Sequence, residues 1–178
     1  FDPSNGKEVW SCKGLNPLVY TSPIYDNGIV VAMGGFRGTA MGVRAGGKGG
    51  VTDTHQLWTH PKEKQRIGSG VLVNGYIYIL NEDGVAQCIE AKRGKVAWEE
   101  RLRGPGGNGK SWSSMVVAGD KLYAINQSGD AFILRAAPRY QLLAVNSLGE
   151  MTQSSMAFSE GEIFVQTYSA LWCITIND

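Results

Sequence analysis

The sequence predicts an all-β protein of four-stranded antiparallel blades, a β-propeller of about four blade equivalents. Three observations carry this. Glycine supplies 24 of the 178 residues, about twice the usual share, and glycine disfavours helix interiors. The apolar runs are short and end in turn dipeptides such as Asn27-Gly28, Asn74-Gly75 and Asp83-Gly84, which are strong hairpin signals. One plan also recurs, its turn glycines Gly28, Gly75, Gly119 and Gly161 spaced 47, 44 and 42 residues apart, the size of one blade.

The elements follow in chain order. Residues 1–14 carry only an outer strand, Glu8 to Cys12, after the turn at Gly6-Lys7. Blades are expected over about residues 18–62, 66–104 and 111–148, with a three-stranded last blade over 152–178. Each begins at Ser22, Ser69, Ser114 or Ser155 with a short apolar strand, then turns at its glycine into a second strand. A further turn follows at Arg37-Gly38, Asp83-Gly84, Ser128-Gly129 and, more weakly, Ser169-Ala170. A polar turn then precedes the outer strand, marked by Trp10, Trp58 and Trp98, with Leu143 in the tryptophan's place in the third blade. These tryptophans are expected to pack between blades. The last blade has strands one to three, Ser155 to Ile176. One strand plus three make one more blade, so a closed four-blade ring and an arc cut from a larger ring both fit. The arc is preferred, and its two apolar faces call for the missing propeller blades or for self-association.

Composition excludes several classes. With 17 Lys+Arg against 16 Asp+Glu, no strong field favours nucleic acid or an anionic membrane. The longest apolar runs, such as Ile29 to Met33, are too short to span a bilayer. No signal peptide is visible at Phe1. Cys12, Cys88 and Cys173 are single and far apart, which suits small buried apolar side chains and no zinc site.

Phe1-Asp2-Pro3-Ser4-Asn5-Gly6-Lys7-Glu8-Val9-Trp10, Ala91-Lys92-Arg93-Gly94-Lys95-Val96-Ala97-Trp98 and the four Ser-to-glycine segments resemble the PQQ-like, or quinoprotein-type, β-propeller repeat. Arg44 to His55 and Ala170-Leu171-Trp172-Cys173-Ile174 are similar to the C-terminal half of bacterial PQQ-like repeat proteins, which implies an arc of a seven- or eight-bladed propeller. The resemblance implies an extracytoplasmic (periplasmic or secreted) scaffold, similar to the propeller lipoprotein that helps assemble outer-membrane proteins. The alternative it implies is a fragment of a PQQ-dependent alcohol or sugar dehydrogenase whose cofactor ligands lie in the missing part. Such enzymes hold the quinone with calcium, a stacked tryptophan and two adjacent cysteines. No cysteines are adjacent here, and the acidic pairs Asp26-Asn27 and Glu82-Asp83 fall at hairpin turns. The expectation is therefore no catalytic residue, no cofactor and no metal.

Two other signals are weak. Gly42-Val43-Arg44-Ala45-Gly46-Gly47-Lys48-Gly49 approaches a phosphate-binding loop, but Gly49 replaces the hydroxyl residue and no helix is expected to follow; a flexible enlarged turn is expected. His55 and His60 are five apart, on opposite faces of a strand. The basic loops Lys62 to Arg66 and Arg101 to Lys110 lead from an outer strand to the next inner one. They share one rim with the serine-rich strand starts. Arg66, Ser69, Arg101, Arg103, Lys110, Trp112, Ser113 and Ser154 are therefore the candidates for binding a protein or polymer partner, on loops carried by a rigid frame.

Overall fold

The computed structural model describes residues 1–175. All but two of its strands fall into four successive antiparallel sheets, each in simple up-and-down order. Blade 1 is β2 (Ile24–Asp26), β3 (Ile29–Met33), β4 (Gly38–Arg44) and β6 (Gln56–Lys64). Blade 2 is β7 (Val71–Val73), β8 (Tyr76–Leu80), β9 (Val85–Glu90) and β10 (Val96–Arg101). Blade 3 is β11 (Val116–Ala118), β12 (Lys121–Ile125), β13 (Asp130–Arg135) and β14 (Leu142–Ser147). Blade 4 has β15 (Ala157–Ser159), β16 (Glu162–Gln166) and β17 (Leu171–Ile174). The expected end of that last strand at Ile176 lies outside the described residues.

Burial on both faces explains the unbroken apolar runs. In β8, Ile77 and Ile79 join Val31, Met33, Ala40 and Ile89 at the junction with blade 1, while Tyr78 and Leu80 join Trp98, Leu122, Phe132 and Leu134 at the junction with blade 3. Alternate side chains of one strand thus serve two interfaces. A smaller core of Ile125, Met156 and Val165 joins blades 3 and 4. The hairpins between first and second strands use two central residues. Asn27-Gly28, Asn74-Gly75 and Glu160-Gly161 have both residues at positive φ, whereas blade 3 places Gly119 alone there, the two forms that match strand twist.

Three departures from the sequence reading have physical causes. In each full blade the outer strand carries a bulge, with Leu57, Ala97 and Leu143 as the extra residue, so Ala144, not Leu143, takes the tryptophan's place in blade 3. The enlarged turn of blade 1 is not a plain flexible loop. Gly42 lies inside β4, where a Cβ would sit 2.2 Å from Trp58 Nε1, and the segment continues through β5 (Gly49–Gly50) and the short helix α1 (Thr52–His55). The N-terminal strand shortens to β1 (Trp10–Ser11), which pairs in parallel with β5.

That pairing follows the repeat. Trp58 Nε1 donates to the Ala91 carbonyl at 2.7 Å, and Trp98 Nε1 to the Ala137 carbonyl at 3.0 Å. Both carbonyls belong to the connection between the third and fourth strands of the following blade. β1 touches the same connection of blade 1, and so stands where the outer strand of a preceding blade would stand.

Candidate functional site

The rim singled out by sequence is formed by the connections entering each inner strand and by the turns between second and third strands. A repeated backbone pattern locks them. The turn amides of Gly35, Glu82, Gln127 and Tyr168 donate to the carbonyls of Leu18, Gln65, Lys110 and Met151. The next amides along the connections reach back to the preceding blade: Arg66 to Gly35, Ser111 to Glu82 and Thr152 to Gln127.

A chain of hydroxyls runs from blade to blade beside this frame. The Ser22 amide donates to Ser69 Oγ (2.9 Å), the Ser69 amide to Ser114 Oγ (3.0 Å) and the Ser114 amide to Ser155 Oγ (2.8 Å). Ser113 Oγ donates to the Ser154 carbonyl and Ser154 Oγ to the Gln166 carbonyl, both at 2.6 Å. The recurrent serines of the sequence therefore couple blades, because a short hydroxyl can accept an amide that the strand start leaves unpaired.

The candidates separate by burial and pairing. Arg66 and Ser113 are 2% and 3% exposed; they belong to blade junctions, and this corrects their placement on an open surface. Arg66 donates from Nη1 to the Gly38 carbonyl at 3.4 Å. Burial pulls its pKa down to about 10, opposed by the Glu99 charge. Glu99 is also subject to burial, which raises its pKa. Hydrogen bonds from Lys64 and Gln87 and the charges of Lys64 and Arg66 outweigh that and hold it below the usual range. Ser69 and Ser154 are half-buried in the hydroxyl chain. Arg101 and Lys110 are exposed but pair with Asp83 (3.6 Å) and Glu82 (3.0 Å). Arg103 is exposed and has no ion-pair partner among the described residues. Trp112 is 42% exposed.

The glycine-rich loop Gly104 to Gly109 is shaped by the turn it crosses. Gly106 N donates to Asp130 Oδ2, and Asn108 N to Ser128 Oγ. A Cβ on Gly104 would lie 2.4 Å from Asp130 Oδ2, and one on Gly106 2.2 Å from the Ser128 Cβ. These glycines permit close backbone approach.

Sequence reasoning missed Tyr20. It stands two residues before Ser22, as Trp112 stands two before Ser114, and it is 51% exposed. Counting back from each blade serine would have found it. Phe36 (48%) and Tyr168 (67%) extend the exposed aromatics along the turns of the same rim.

The acidic pairs do not converge. Asp26 ends β2 at the hairpin on the opposite rim, while Glu82 and Asp83 are engaged by Lys110 and Arg101. Among the described residues no three of His, Cys, Asp and Glu come together. Cys12, Cys88 and Cys173 are free thiols, only Cys88 fully buried. His55 bonds Thr54 Oγ1 and His60 the Gly94 carbonyl. No described helix is long and apolar enough to cross a membrane.

Four successive antiparallel blades, coupled by tryptophan and serine at fixed repeat positions, define an arc of a PQQ-like β-propeller. A family model described as outer membrane protein assembly factor BamB matches residues 1–178. The chain belongs to that family.

Solved structures share the fold at low identity. BamB from Moraxella catarrhalis is 9% identical at a TM-score of 0.69, covering 88% of this chain and 46% of its own. The computationally designed Ika4 protein is 14% identical at 0.72, covering 97% and 99%. Quinohemoprotein alcohol dehydrogenase from Comamonas testosteroni is 13% identical at 0.63, covering 90% and 30%. The chain thus spans under half of the BamB structure and under a third of the dehydrogenase. At these identities the likenesses show the fold alone. No curated protein matches the chain.

Proposed function

We propose that this chain is part of a non-catalytic, extracytoplasmic propeller scaffold that holds a protein partner on the rim bearing Tyr20 and Trp112. The observation that carries the reading is the contrast on that rim. Its serines, Arg66, Arg101 and Lys110 are used within the fold, while the aromatic rings and Arg103 face outward. Aromatic and arginine side chains are the residue types that anchor protein interfaces. The family description supports a partner in outer-membrane protein assembly. The proposed scaffold uses neither quinone nor calcium, since the carboxylates that could serve them are turn residues or ion-pair partners.

The test replaces Tyr20 and Trp112 by alanine and Arg103 by glutamate in the natural protein. Outer-membrane protein levels and thermal melting are then measured together. Lowered assembly with unchanged melting is expected. Wild-type assembly in the triple variant would overturn the rim assignment. Quinone- and Ca²⁺-dependent dye reduction with an alcohol would overturn the non-catalytic reading.

A further inference from the structure

The opposite rim carries a cleft of about 610 Å³ between blades 1 and 2, within the usual size range of small-molecule sites. Its apolar floor includes Ile29, Leu57 and Leu72, and its lip carries Asp26, Arg44 and Lys92. Leu57 is the bulge residue of β6, which is why it is turned out and 40% exposed. Gly75 and Ala91 line the far side and leave the space open.

At the next junction Tyr140, from the last connection of blade 3, packs edge-on against Trp98 with ring centroids 5.3 Å apart. The third junction has a cleft of about 420 Å³, but its lip carries Glu160 and Glu162. Equivalent places in the repeat thus differ: one is cationic and open, one holds an aromatic pair, one is acidic.

The charges at the first cleft leave a cationic excess. Among the described residues neither Arg44 nor Lys92 makes an ion pair. One Arg44 amino group is anchored on the Thr54 carbonyl at 3.0 Å, which holds the guanidinium near the lip with other N–H donors to spare. Asp26 accepts from Asn27 Nδ2 at 2.9 Å and leaves one net positive charge over an apolar floor.

We propose that this cleft binds an amphiphilic carboxylate of the fatty-acid type. Its alkyl chain lies on Ile29, Leu57 and Leu72, and its carboxylate meets Arg44 and Lys92. A single carboxylate matches the single excess charge, and the apolar floor selects the chain.

The probe is dodecanoate below its micelle concentration, titrated by calorimetry into the natural protein, with dodecanol as its neutral analogue. Saturable binding is expected, with dodecanol weaker by about tenfold. Arg44→Glu with Lys92→Glu should weaken dodecanoate by about tenfold and leave dodecanol unchanged. Leu57→Asp, at an exposed position, should weaken both, while Glu160→Gln with Glu162→Gln should change neither. Near-ultraviolet circular dichroism checks that each variant is folded. No binding at about 1 mM, equal affinity for dodecanoate and dodecanol, or indifference to the paired charge reversal would overturn the proposal.

Discussion

Trp98→Ala tests the claim that tryptophan couples consecutive blades. Trp98 is 9% exposed, its Nε1 donates to the Ala137 carbonyl, and its ring meets Tyr78 and Tyr140 at centroid distances of 6.1 and 5.3 Å. A buried tryptophan removes ~200 Å² from water, worth ~5 kcal/mol at ~25 cal/mol/Å². Partial collapse of the cavity and compactness of the unfolded chain reduce this to ~4 kcal/mol. Trp98→Phe keeps most of the ring contact and removes the donor. Ala137 is half-buried, so water can replace that bond, and the cost falls to ~1 kcal/mol. Urea unfolding followed by far-ultraviolet circular dichroism measures both. The alanine variant should also show a smaller denaturant slope, because blade 3 can then unfold without blade 2. A double-mutant cycle with Tyr140→Leu should return a coupling of ~1 kcal/mol. A loss under ~1 kcal/mol for Trp98→Ala, with an unchanged slope, would refute the coupling argument.

Two further perturbations probe the glycine loop and the buried thiol. Gly104→Ala puts a methyl against Asp130, which is fully buried and held by Asn126 Nδ2. It should cost ~1–3 kcal/mol in melting and expose the loop to protease, while Gly107→Ala, with nothing within 4 Å of its Cβ, should do neither. Burial pushes the Cys88 thiol from 9.0 up to about 11, partly offset by its hydrogen bond with Tyr78. The unfolded chain therefore ionises first on raising the pH. The stability tied to the neutral thiol is complete below pH 9 and lost as pH rises towards 11, by ~3 kcal/mol. Cys88→Val should flatten that part of a pH series of urea midpoints; an unchanged profile would show that the thiol does not carry it.

What could be read from the sequence was periodic. Strand pairs, two-residue hairpins and tryptophan positions recur because each blade repeats the same packing problem. Glycine is legible at turns because positive φ is a local demand. The bulge at Leu143 was not legible, since an extra residue in an outer strand alters no composition and shifts the alignment by one. The rim was legible as a place and not as a surface. Arg66 sits in a basic loop, yet its side chain turns inward towards Gly38 and Glu99, a direction that sequence distance does not encode. Tyr20 lies in Leu15-Asn16-Pro17-Leu18-Val19-Tyr20, which lacks the surplus glycines that drew attention to Trp112. Its exposure follows from a position within the repeat, not from neighbouring residues.

The same repeat explains why the two rims differ in kind. On one, each turn amide binds an incoming connection and each serine binds the next blade, so polar groups are consumed in holding the arc together. What remains outward there is aromatic surface, suited to a large partner. On the other rim the connections between third and fourth strands accept the tryptophan of the preceding blade and otherwise bond within their own blade, as Ala91 N does to the Gly75 carbonyl and Ala136 N to the Asp120 carbonyl. The remaining side chains of this rim are free to vary without loosening the frame: Lys92 after Ala91, Tyr140 over Trp98, Glu160 in the hairpin facing the third cleft. Variation concentrated where the frame asks little gives three junctions with one backbone plan and three surface chemistries. Grafting tyrosine near Lys92 should therefore close the first cleft without cost to the Trp58–Ala91 bond, and removing Tyr140 should open the second.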